Sequence, residues 1–184
     1  MNCSFEDSLC GWFQDQDDEF DWSRNQHTTP SHLDGTGPSF DHTFGQNSSG
    51  YYLYLESSYP RTPGEIARLY SPVYTHLEGT SDACFEFYYH MYGKAIGGLR
   101  VYVLEKSKAL RDLVPKWEVT GDQGDVWIKA QVEINGESGD QLQPFQLIFE
   151  GILGHGHQVR TKDFSRTLDL IFLHRVILLS TIWL

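Results

Sequence analysis

The sequence predicts an all-β protein, a two-sheet antiparallel jelly-roll sandwich that ends in an atypical C-terminal tail. Three observations carry this. Short segments of alternating apolar and polar residues recur at steady spacing between turns rich in Pro, Gly and Asp. No long segment shows the helical periodicity needed to cover a parallel sheet. The composition is 40% hydrophobic and 14% aromatic, with 11 Phe, 10 Tyr and 5 Trp, too rich for disorder. Two sheets packed face to face bury such strands economically. A chain of 184 residues suits one domain of this kind, with no second core required.

The chain opens on Cys3-Ser-Phe-Glu6-Asp-Ser-Leu-Cys10-Gly-Trp12, followed by the acidic patch Asp15, Asp17, Asp18, Glu19, Asp21 and then Trp22. Residues 23–50 are polar, carry Pro30, Gly35, Gly37, Pro38, Gly45 and Gly50, and read as loop. Tyr51-Tyr52-Leu53-Tyr54-Leu55-Glu56 follows as an alternating aromatic strand. Further strands are predicted at 67–70, 84–92, 98–104, 117–120, 127–134 and 145–150. Between them, 105–116 is a charged surface excursion with helical character. The jelly roll is expected over residues 1–157 and the divergent hydrophobic tail over 158–184.

The net charge of −11 leaves no Lys/Arg-rich face for phosphate, which excludes nucleic acid as a partner class. The acidic patch either is a solvated face or offers Ca²⁺ ligands or contacts for a basic partner. The 3 cysteines cannot all pair internally. Cys3 and Cys10 are the natural disulfide, closing a short loop at a gain of about 2.5 kcal/mol. Cys84 is left over, and its alternating surroundings suggest a buried thiol acting as a small hydrophobe. Asn2 and Asn47 each begin a glycosylation sequon, and with the cysteine pair they point to an extracellular protein. Met1 runs straight into the domain without the features of a signal peptide, as in a fragment, a mature form or an isoform lacking its leader.

Several strings carry a resemblance beyond this. They are the Cys3-to-Trp22 opening; Gly37-Pro38-Ser39-Phe40-Asp41-His42-Thr43 leading to Tyr51-Tyr52; and Cys84-Phe85-Glu86-Phe87-Tyr88-Tyr89-His90-Met91-Tyr92-Gly93. Gly98-Leu99-Arg100-Val101-Tyr102-Val103, Gly121-Asp122-Gln123-Gly124 and Phe145-Gln146-Leu147-Ile148-Phe149-Glu150-Gly151 complete the set. In that order, over residues 3 to 156, the chain resembles a MAM domain, the module shared by meprin, the A5 neuropilin antigen and receptor tyrosine phosphatase mu. The resemblance implies a jelly roll on a secreted or membrane-anchored protein that binds and does not catalyse. It implies an extracellular or cell-surface protein as partner, with homophilic contact as in several members. It also implies that Cys84 would pair with a fourth cysteine after a final strand containing adjacent aspartates.

The pattern stops at Gly154-His155-Gly156, and the fourth cysteine is missing. The tail is too short, and too interrupted by Asp169, His174 and Arg175, for a membrane-spanning helix. Leu168, Leu170 and Phe172 could form a makeshift last strand, or the run from Val176 could lie exposed and aggregation-prone.

Glu6 and Asp41 are the candidate cation ligands, since hard Ca²⁺ takes several carboxylate and carbonyl oxygens. The resemblance adds an acid from the final strand, a place Asp169 could take. The alternative is that both acids accept backbone N–H bonds in turns. No other cofactor is expected. His155 and His157 have no partnered ligand set for zinc, and no catalytic motif is present. Trp12 and Trp22 are expected in the core, with Trp117 and Trp127 as core or binding platforms. The sequence is read as an extracellular, non-catalytic recognition module for adhesion or receptor assembly, with a truncated isoform as a rival reading suggested by the divergent tail. The alternative is a Ca²⁺-dependent, lectin-like carbohydrate-binding jelly roll, which accessible aromatics on one sheet face would favour.

Overall fold

The computed structural model describes residues 2–29, 36–47, 49–57, 60–75, 81–93, 96–106, 108–135, 142–154 and 176–183. The strands are β1 (Asn2–Cys3), β2 (Phe13–Gln14), β3 (Ser23–Gln26), β4 (Tyr51–Glu56), β5 (Ile66–Tyr70) and β6 (Asp82–Tyr92). They continue with β7 (Gly98–Glu105), β8 (Trp117–Thr120), β9 (Gly124–Asn135), β10 (Phe145–Ile152) and β11 (Val176–Trp183). One sheet has the order β3-β4-β11-β6-β9, with β1 also on β11, and the other has the order β2-β5-β10-β7-β8. Every pairing is antiparallel, as the sequence predicts.

Strand alternation explains the core. In β4, Leu53 and Leu55 point inward, and in β6 Phe85, Phe87, Tyr89 and Met91 do the same. They meet Leu147 and Phe149 of the opposite sheet, with the Phe87 and Phe149 rings edge to face at 4.9 Å. Trp12 packs at 5.5 Å from Phe149, and the Trp22 indole N–H donates to the Ala67 carbonyl at 3.1 Å, so both tryptophans are core residues. On the far face of the five-stranded sheet, Glu150 sits opposite Arg68 on one side and Arg100 on the other. Its carboxylate accepts from Arg68 Nε at 2.7 Å, Tyr102 Oη at 3.0 Å and Arg100 Nη1 at 3.4 Å.

The structure corrects several expectations. Ser23–Gln26, expected as loop, is strand β3 because its backbone pairs with Tyr51–Tyr54, a tertiary contact that polar residues do not advertise. Among the described residues of the excursion at 105–116, the helical character is limited to the 3₁₀ turn Leu110–Asp112, which buries no residue that could hold anything longer. Cys84 is exposed, not buried, because inward Phe85 leaves its neighbour on the other face. The tail provides β11, whose main chain lies paired between β4 and β6 instead of exposed. Leu168, Leu170, Phe172, Asp169, His155 and His157 lie outside the described residues.

Candidate recognition cleft and cation corner

The outward face of the six-stranded sheet carries Tyr52 and Tyr54 from β4 and Tyr88, His90 and Tyr92 from β6. The β6/β9 register then slips: Tyr89 pairs with Ile128 and Met91 with Gly124, so Asp125, Val126 and Trp127 all face the single residue His90. Bulges of this kind re-aim side chains. Here the bulge brings Asp125 Oδ1 to 3.0 Å from His90 Nε2 and sets the Trp127 ring edge to face against His90 at 5.4 Å.

A loop folds over this face. The Trp127 indole N–H donates to the Phe40 carbonyl at 3.0 Å, and His42 stacks on Tyr88 with ring centroids 3.4 Å apart. The result is a cleft of about 730 Å³ lined by residues that include Phe40, His42, His90, Asp125 and Trp127. Burial lowers the pKa of both histidines; Asp125 opposes the effect at His90 and Asp41 opposes it at His42. Nδ1 of each ring is buried without a hydrogen-bond partner among the described residues. The cleft was illegible in the sequence because His42, His90 and Trp127 are far apart in the chain. The available signal was a histidine and tyrosines at outward positions of otherwise apolar strands.

The same loop builds a second feature next door. Glu6 Oε1 accepts the Tyr51 N–H at 2.9 Å, and Asp41 packs against Gly50, so both predicted acids converge on the start of β4. Arg24 helps hold Glu6 there, donating to the Phe5 carbonyl at 2.6 Å and to the Glu6 carbonyl, with its guanidinium over the Tyr51 ring. Asp41 is 1% exposed; Oδ2 accepts the Phe44 N–H at 2.8 Å, while Oδ1 is buried and has no hydrogen-bond partner among the described residues. A Cβ on Gly50 would lie 2.3 Å from that carboxylate, so only glycine leaves it room. Each acid therefore does cap backbone, and Asp41 keeps one anionic oxygen that suits a hard cation. Among the described residues, no three His, Cys, Asp or Glu side chains gather as a metal site.

The remaining predicted positions are placed as follows. Cys3 and Cys10 form the disulfide. In the acidic patch, Asp15 pairs with Arg68 at 3.3 Å, Asp18 accepts the Arg68 N–H at 2.5 Å and Glu19 accepts the Ile66 N–H at 2.8 Å. These acids cap β5 and so have structural work. Burial raises the Asp18 pKa, and Asp15 and Asp21 add to the rise. Asn2 lies in β1, and Asn47 ends the 3₁₀ turn Gly45–Asn47. Among the described residues, no helix is long and apolar enough to cross a membrane.

Solved structures define the class first. The K1 cleaved adhesin domain of Lys-gingipain from Porphyromonas gingivalis W83 superposes with a TM-score of 0.59 at 14% identity, covering 99% of this chain and 95% of that one. A structure titled for carbohydrate-binding modules of the β-sandwich superfamily gives 0.51 at 12% identity, covering 96% of this chain and 58% of that one. At such identities the likeness shows the β-sandwich fold alone. The family model for the MAM domain, meprin/A5/mu, matches residues 3–163, and the chain belongs to that family. It is 42% identical over 158 residues to MAM domain-containing glycosylphosphatidylinositol anchor protein 1 of Rattus norvegicus, covering 84% of this chain and 16% of that protein. It is 40% identical over 165 residues to anchor protein 2 of Mus musculus, covering 85% of this chain and 16% of that protein. Thyroid hormone-induced protein B of Xenopus laevis is 36% identical over 152 residues, covering 83% of this chain and 20% of that protein. The chain thus spans about a sixth to a fifth of the length of these relatives.

Proposed function

We propose that this MAM domain is an extracellular, non-catalytic recognition module for cell adhesion or receptor assembly, on the outside of a secreted or membrane-anchored parent. The observation that carries the reading is the cleft at Trp127. Aromatic and histidine side chains held on a sheet by a bulge are rigid anchors of the kind that dominate protein recognition. Beads coated with the chain should bind cells displaying the partner, and Trp127→Ala should abolish binding without unfolding the domain. Unchanged binding by that variant would remove the cleft from the mechanism, and no binding to any extracellular protein would remove the reading.

We also propose that Glu6 and Asp41 hold a Ca²⁺ ion that pins the loop beneath the cleft to β4. The unpartnered Asp41 Oδ1 supports this. The second functional reading, Ca²⁺-dependent carbohydrate binding, is favoured by the part-exposed rings of Tyr54, Tyr88, Tyr92 and Trp127 on one sheet face. Glycan-array binding that disappears with chelator would select it.

A further inference from the structure

We propose that two copies of this chain associate edge to edge through β9, antiparallel about Gln131, to make one continuous sheet. The inference rests on the recognition reading above and names a second copy as one partner. β9 is an outer strand of the six-stranded sheet. Among the described residues, the main chain of 128–135 bonds only to β6. Among the described residues its other side is therefore a row of N–H and C=O groups with no main-chain partner, a template for another strand.

Sequence on this edge is self-complementary. Ala130, Val132 and Ile134 point into the core, while Lys129, Gln131, Glu133 and Asn135 are exposed on the outward face. A two-fold axis perpendicular to the sheet keeps inward residues inward, and centring it on Gln131 sets Lys129 opposite Glu133 of the second copy, twice. It also sets Ala130 opposite Val132 and Ile128 opposite Ile134. Centring on Lys129 or on Glu133 would put like charges face to face. Centring on Ala130 or Val132 would leave both charges opposite neutral residues. Directly opposed side chains lie about 5 Å apart, close enough for each Lys–Glu pair to choose the register. Lys129 already reaches Glu86 at 2.9 Å, so the dimer would extend that pair into a Glu86–Lys129–Glu133 row on each side of the axis. Because the axis keeps faces together, both Trp127 clefts open on one surface.

Sedimentation equilibrium on the full chain at moderate salt tests this. The wild type should show a concentration-dependent monomer–dimer equilibrium. Lys129→Glu alone and Glu133→Lys alone should each weaken it by roughly tenfold or more, because each turns two attractive cross-strand pairs into repulsive ones. Mixing the two variants should restore a heterodimer, since glutamates at 129 and 133 then face lysines at 133 and 129. Dispersed NMR spectra for both variants would show that folding is intact. A monomeric wild type, unchanged dimerisation in Glu133→Lys, or no heterodimer on mixing overturns the proposal. A monomer whose beads still bind cells leaves the recognition reading standing, whereas a dimer whose beads bind nothing does the reverse.

Discussion

Replacing Asp41 by Asn should change stability by an amount that depends on calcium. Asp41 Oδ1 is a carboxylate oxygen buried without a partner among the described residues, and an unmet buried acceptor costs about 1–3 kcal/mol, more when charged. With chelator present, Asp41→Asn should lie within about 1 kcal/mol of wild type, because the amide oxygen can still accept the Phe44 N–H and the buried charge is gone. With Ca²⁺ at about 100 times its dissociation constant, the wild type should gain about 2.7 kcal/mol that the variant cannot. At about 2–4 °C per kcal/mol for a domain of this size, the gain is a rise in Tm of about 5–11 °C. Thermal unfolding followed by near-UV circular dichroism, with millimolar Ca²⁺ and then with chelator, reads both numbers. Equal Tm for the wild type in the two conditions would refute the cation reading. So would an equal rise in Asp41→Asn, which would place the ion elsewhere.

Three further predictions follow from other parts of the structure. Glu150→Ala removes one carboxylate partner from each of Arg68 and Arg100, which keep Asp15 and Glu118, and takes the acceptor from the Tyr102 hydroxyl; it should cost about 2 kcal/mol, with Glu150→Gln costing less, and a urea midpoint unchanged in either would contradict the ladder. Burial lowers the folded pKa of His90 below 6.5, so its contribution is complete above that value and is lost as pH falls through it toward the folded pKa. His42 shifts in the same direction, so His90→Phe should flatten, without abolishing, the acid-side slope of stability measured by urea titration across mildly acid pH. Reducing the Cys3–Cys10 bond, or replacing both residues by Ser, should cost about 2.5 kcal/mol from the short loop it closes; no shift in urea midpoint would mean that the Trp12 and Arg24 contacts alone hold the N-terminal segment.

Alternation in β4, β6, β9 and β10 was legible in the chain because one buried face imposes a period of two on local sequence. The same local logic determined the sandwich, the Cys3–Cys10 pair across a short loop and the core role of Trp12 and Trp22. It did not reach β3, whose polar Ser-Arg-Asn-Gln becomes strand only when β4 offers it a ladder. Nor did it reach the cleft, since the β9 bulge that turns Asp125 and Trp127 toward His90 exists only in the register with β6. Glu6 and Asp41 were named from the sequence, but the unpartnered oxygen on Asp41 and the room Gly50 leaves for it depend on how a distant loop packs against β4. The tail shows the division most plainly. Val176–Trp183 is apolar enough to be a strand or an aggregation site, and only the gap between β4 and β6, with backbone groups to satisfy on both sides, makes it the strand β11.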